Sequence, residues 1–139
     1  MNKKILLRIA AGLVLFTCAG HTIGTFIPLP PEEVELINTE NAMKSALVPM
    51  PVDKKQSFFD ILLGANIGLS VYLFVSGISL ILISSEEKFH STSKRLLLLE
   101  SMGLLALAVI SILYFFPIPA ICTGIAGILG LFTSIRQNT

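Results

Sequence analysis

His21, Asp60 and Asn66 are the residues of this 139-residue chain whose types and placement come nearest to a reactive set. His21 lies about six residues from the end of one long apolar stretch, and Asp60 and Asn66 lie about two and eight residues into the next. If those stretches are antiparallel helices, the three side chains meet at one level, with Thr22 and Thr25 close by. Imidazole titrates near neutral pH, so such a set suits proton handling or ligand binding. An acid–base pair of His21 and Asp60 would have to reach a substrate proton directly. The plainer role, and the one expected here, is a hydrogen-bonded packing cluster that joins two helices, because buried polar groups need partners whether or not they do chemistry.

Arg8 and Glu100 are the second set. An ionisable side chain in an apolar span is costly unless it is paired. Each lies about one turn in from the same end of its stretch, so the expectation is a buried ion pair; the alternative has Arg8 snorkelling to phosphates and Glu100 reaching water. Gly20-His21-Thr22-Ile23-Gly24 and Gly64-Ala65-Asn66-Ile67-Gly68 are GxxxG elements. Small residues four apart let helix backbones approach closely, so Gly20, Gly24, Gly64 and Gly68 are expected to pack the first two helices together. Gly124, Gly127 and Gly130 supply a second close-contact face on the last helix, within the chain or to a second copy. Cys18 and Cys122 have no CxxC or Cys/His spacing and read as packing residues. His90, in a polar loop, reads as solvated. No Walker loop, HExxH, GxSxG or GxGxxG is present. No metal site and no cofactor are expected.

The elements that carry these residues are apolar helices. Hydrophobic residues make up 53% of the chain and charged residues 14%, against roughly 25% charged in a soluble domain. The charges collect at the amino-terminal tip, in residues 32–55 and 86–95, and at Arg136, leaving four stretches: about 5–27, 58–84, 96–116 and 119–135. Each reaches the roughly 17–25 residues that a helix needs to cross a bilayer. The first begins like a signal peptide, but it is too long for a signal h-region and lacks an A-x-A site; Leu15-Phe16-Thr17-Cys18 fits a lipoprotein box poorly. It is therefore expected to be retained. Pro117 and Pro119 break the last two stretches into a tight hairpin. The net charge of +1 gives no basic field for nucleic acid.

Residues 28–57 form the longest polar connection. Pro28-Leu29-Pro30-Pro31-Glu32-Glu33 is a suitable helix opening, and Leu36, Glu40, Met43 and Leu47 recur near one helical face beside Val34 and Ile37. A short amphipathic helix is expected, lying across the outer end of the bundle and ended by Pro49 and Pro51. With the amino terminus inside, Lys3, Lys4, Arg8, Lys88, Lys94, Arg95 and Arg136 are cytoplasmic and Lys44, Lys54 and Lys55 are not, in keeping with the positive-inside rule. Both termini are then cytoplasmic.

The motif Gly20-His21-Thr22-Ile23-Gly24, with Phe58-Phe59-Asp60-Ile61-Leu62-Leu63-Gly64 and Tyr114-Phe115-Phe116-Pro117, resembles a group of small uncharacterised bacterial membrane proteins. Their first helix ends in a Gly-His-Thr-Ile-Gly type motif, their second opens aromatic-Asp-x-x-x-Gly, and the likeness covers most of the chain in layout. The resemblance implies a four-helix bacterial inner-membrane protein with no known activity, and nominates His21 and Asp60 should the group have a site. Small multidrug transporters also have four helices, but with the key carboxylate in the first; here it is in the third, and the long outer loop also departs from that pattern.

The expectation is an all-α, integral membrane, four-helix up-down bundle forming a single domain over residues 1–139. Its partners are membrane lipid, an apolar small molecule or membrane-protein partner, and a second copy of itself through the fourth helix. A non-catalytic binding or accessory role is expected. The rivals are a membrane enzyme using His21 and Asp60 on a lipid-soluble substrate, and a small transporter using Glu100.

Overall fold

A computed structural model describes residues 3–51, 55–87 and 90–135. Of the cations used for orientation, Lys54, Lys88 and Arg136 lie outside the described residues. In chain order the elements are α1 (Lys3–Phe26), α2 (Val34–Ser45), β1 (Leu47–Pro49), β2 (Lys55–Ser57), α3 (Phe58–Ser85), α4 (Ser91–Tyr114) and α5 (Pro117–Ile135). The chain is predominantly helical, and α1, α3, α4 and α5 are each long and apolar enough to cross a membrane. The chain divides into two compact units: Met1–Ala19 with Tyr72–Thr139, and Gly20–Val71.

In the first unit the helices bury leucines together with many small residues, and leave other bulky side chains exposed. The buried stripe of α1 is Leu6, Leu7, Ala10, Ala11, Val14, Thr17 and Cys18, recurring every three to four residues as a helix face must; Ile5, Ile9 and Phe16 on the other side are exposed. In α5, Ala120, Cys122, Thr123, Ala126, Gly127, Gly130, Thr133 and Ser134 are buried, while Ile121, Ile125, Ile128 and Phe132 are exposed. Several of the buried hydroxyls are bonded within their own helix. Ser101 donates to the Leu97 carbonyl at 2.6 Å, Thr123 to Pro119 at 2.7 Å and Thr133 to Leu129 at 2.7 Å, each bond closing back onto the preceding turn.

Glycines set the closest approaches. A Cβ at Gly127 would sit 2.8 Å from Leu105 and 3.0 Å from the Ser101 carbonyl, and one at Gly130 would collide with the Ser101 hydroxyl. Gly124 is in ordinary contact with Ala108. The α5 glycines therefore serve the α4–α5 hairpin within the chain. On α3, a Cβ at Gly77 would strike Leu15 of α1 at 2.6 Å, and Lys3 at the start of α1 donates to the Glu87 carbonyl just past α3, so these parts of α1 and α3 run antiparallel.

The hairpin turn starts earlier than the prolines suggested. α4 ends at Tyr114, and α5 begins at Pro117 rather than Pro119. Both prolines fit in the first turn, where an amide has no intrahelical acceptor to lose. α4 in turn starts at Ser91, five residues before the expected Leu96, because its first turn is polar and hydropathy passes over it. The Lys94 amide donates to the His90 carbonyl there, and Ser93 donates to Glu86 across the loop at 2.8 Å. His90 is exposed.

In the second unit, α2 forms as expected but ends at Ser45, before Pro49 and Pro51. The chain then turns into the β1–β2 hairpin, which pairs Leu47 with Ser57 and Val48 with Gln56. Leu47 is thus a strand residue, and Leu36 is exposed. The half-buried positions of α2 are Ile37, Glu40 and Met43, a narrower face than the one expected. Lys44 pairs with Glu40 and lies 4.9 Å from the centre of the Phe59 ring, so a cation–π contact ties α2 to the start of α3.

Candidate functional site

The polar set of the second unit is built by the ends of α1 and α3. His21 is half-buried, and its Nε2 lies 3.2 Å from the backbone carbonyl of Asn66. A carbonyl only accepts, so Nε2 carries the proton and donates. The His21 carbonyl accepts from the Thr25 hydroxyl at 2.8 Å. His21 therefore bridges α1 to α3 through backbone, and it is the main chain of Asn66, not its amide, that receives it.

Asp60 is engaged elsewhere. Its Oδ2 accepts from the Ser57 hydroxyl at 2.6 Å and from the Ser57 amide at 3.3 Å, while the Asp60 amide donates to Ser57 Oγ at 3.1 Å. This reciprocal arrangement is a capping box, opening α3. Asp60 is exposed and Ser57 is buried. The sequence carried the signal, Ser57-Phe58-Phe59-Asp60, but Asp60 drew attention as a carboxylate near a histidine rather than as the fourth residue of a cap.

The packing role expected of Gly20, Gly24, Gly64 and Gly68 is not met. A Cβ at any of the four would find nothing within 4 Å. All four are exposed, so they lie on faces that meet no other part of the described chain closely.

In the first unit Arg8 and Glu100 do not form an ion pair. Among the described residues Arg8 is exposed, whereas Glu100 is half-buried and its Oε1 is buried with no hydrogen-bond partner. What faces Glu100 is α3. The Tyr72 hydroxyl lies over Gly103, where a Cβ would come within 2.6 Å of Oη, and position 103 is one turn on from 100 on the same side of α4. Tyr72 is within electrostatic reach of Glu100 and close to Ser76. Ser76, one turn along α3 from Tyr72, is 1% exposed, and its hydroxyl pairs with that of Tyr72 as a side-chain hydrogen bond. Sequence reading passed over Tyr72 and Ser76, since a lone tyrosine and serine in an apolar run carry no motif.

Cys18 and Cys122 are buried, and neither forms a disulfide. Among the described residues no three His, Cys, Asp or Glu side chains come together as metal ligands. No protein family, no curated protein and no solved structure matches the chain.

Proposed function

We propose that this chain is a multi-pass protein of the bacterial inner membrane. It crosses four times through α1, α3, α4 and α5 as an up-down bundle, with both termini cytoplasmic and α2 at the outer surface. Its role is non-catalytic, as a binding or accessory protein whose partners are lipid-soluble: an apolar molecule or another membrane protein.

The observation that carries this reading is the large number of bulky apolar side chains left exposed while serine and threonine are buried beside the core leucines. Ile112 is 70% exposed and Leu99 68%, while Ser76, Ser101 and Thr123 are at most 1% exposed. In water such a surface would be a very large apolar patch. In lipid it is the expected one, with small residues and backbone-bonded hydroxyls at the helix contacts. A catalytic role finds less support, because the two groups that an acid–base mechanism would use are engaged separately, His21 on a backbone carbonyl and Asp60 in a cap.

Site-directed labelling tests the reading. The buried Cys18 and Cys122 keep the parent chain silent to an impermeant maleimide. Asn38→Cys in α2 is expected to label in intact cells, and Ser91→Cys only after permeabilisation. Release of the chain by alkaline carbonate, or the reverse labelling pattern, would refute it.

A further inference from the structure

We propose that Arg8 and the open face of α1 around Gly12 hold the phosphate and one acyl chain of an anionic phospholipid of the inner leaflet. The inference rests on the reading that α1 spans a membrane with its amino-terminal end inside. It adds to that reading a ligand of stated chemistry and the place where it docks.

The first unit turns one side of α1 toward its own core through Leu7, Ala10, Ala11 and Val14. The other side carries Ile5, Arg8, Ile9, Gly12 and Phe16, all of them exposed. At 3.6 residues per turn these five span about 100° of arc, so they form a single face. Arg8 is the one charge among them. A guanidinium on the lipid side of a spanning helix is costly without a counter-charge. The protein does not supply one, since no acid among the described residues pairs with Arg8. A phosphate does, and the planar fork of arginine matches it with two parallel hydrogen bonds.

Gly12 gives the face its shape. A Cβ at position 12 would find nothing within 4 Å, so between the Ile9 and Phe16 side chains the helix surface is bare backbone. This notch lies one turn deeper than Arg8. Helical side chains tilt toward the amino terminus, so the Arg8 stem leads back over the turn of Ile5 to the interface and away from the notch. Charge and notch are thus ordered along α1 as phosphate and hydrocarbon are ordered along a lipid. Charge also selects among lipids. A zwitterionic headgroup neutralises its phosphate with its own ammonium, whereas a net-negative lipid leaves that charge for the guanidinium.

The test is thermal unfolding of the full chain in a neutral detergent, at fixed pH and ionic strength. Phosphatidylglycerol or phosphatidylcholine with the same acyl chains is titrated in. Phosphatidylglycerol is expected to raise the midpoint by roughly 3 °C or more at saturation. It should half-saturate at about a fivefold lower mole fraction than phosphatidylcholine, the preference that one basic residue gives near a membrane surface. Arg8→Gln should bring the two lipids level. Gly12→Leu keeps the charge and fills the notch, and should raise the half-saturating fraction of both lipids. Arg95→Gln removes another exposed guanidinium, in the polar first turn of α4, and should leave the preference in place. Equal responses to the two lipids overturn the proposal, as does a preference that survives Arg8→Gln or is lost equally in Arg95→Gln. Unchanged half-saturation in Gly12→Leu overturns the acyl-chain placement, and an equal shift from glycerol phosphate, which has no chains, overturns the lipid assignment. Should a variant unfold too early to titrate, native mass spectrometry counts the lipids it retains. Phosphatidylglycerol held by the parent and lost from Arg8→Gln is expected, and equal retention overturns the site. Failure of the underlying membrane reading would show separately, as a monodisperse chain in buffer without detergent.

Discussion

Two residues that look alike as chemistry, His21 and Asp60, separate once their partners are known. Asp60 bonds to Ser57 three residues earlier and fixes where α3 begins. Ser57→Ala removes the acceptor for the Asp60 amide and should cost about 1 kcal/mol, read as a lowered unfolding midpoint in detergent. Asp60→Asn should cost less, because an amide oxygen still accepts from Ser57. If either substitution removed binding of some molecule at unchanged stability, the cap would not be the role of Asp60. His21 acts between helices. His21→Ala deletes one donor to a carbonyl that α3 can still use in its own ladder, so the expected loss is again about 1 kcal/mol. The test is whether that loss appears: a chain of unchanged stability that no longer carries a co-purifying ligand would make His21 a binding residue.

At the scale of elements, the apolar stretches were readable because length and the want of charge report a spanning helix whatever its neighbours are. The edges were less readable for the same reason. Hydropathy skipped the polar turn Ser91–Arg95 that α4 needs, and treated Pro117 as a break when it is a first-turn residue. The β1–β2 hairpin was hidden because two three-residue strands, one of them ending in a proline, have no periodicity to detect. Glycine spacing misled for a different reason: GxxxG states that two backbones could approach, and only the tertiary contacts decide whether they do. This sets up a contrast between sites. Gly127→Val places bulk against Leu105 and the Ser101 carbonyl and should destabilise the α4–α5 hairpin by about 1–3 kcal/mol. Gly64→Ala meets open space, and should be neutral or stabilise by up to about 1 kcal/mol through helix propensity alone. Measured side by side by thermal unfolding, equal losses at both sites would mean that the α1–α3 glycines do pack.

At the scale of the whole molecule, the sequence declares how much apolar surface there is but not which way it faces. The buried faces of α4 and α5 are composed largely of serine, threonine, alanine and glycine, so a reader sorting hydrophobic residues inward would turn these helices the wrong way round. Their orientation follows from small residues at the contacts and bulky ones outside, and it makes a prediction that separates lipid from water as the surrounding medium. Ile128 is 60% exposed and lies near the middle of α5. On the surface of a water-soluble protein, Ile128→Lys would change stability by no more than about 0.5 kcal/mol and would improve solubility. At the centre of a membrane-spanning helix the same lysine costs about 2.5–3.5 kcal/mol on insertion, and α5 is too short to spare residues for reaching the interface. A glycosylation-mapping assay of α5 insertion, with Ile128→Leu as the control, should therefore show the lysine variant largely failing to span while the control inserts as the parent does. Full insertion of Ile128→Lys would mean that this face of α5 meets protein or water rather than lipid.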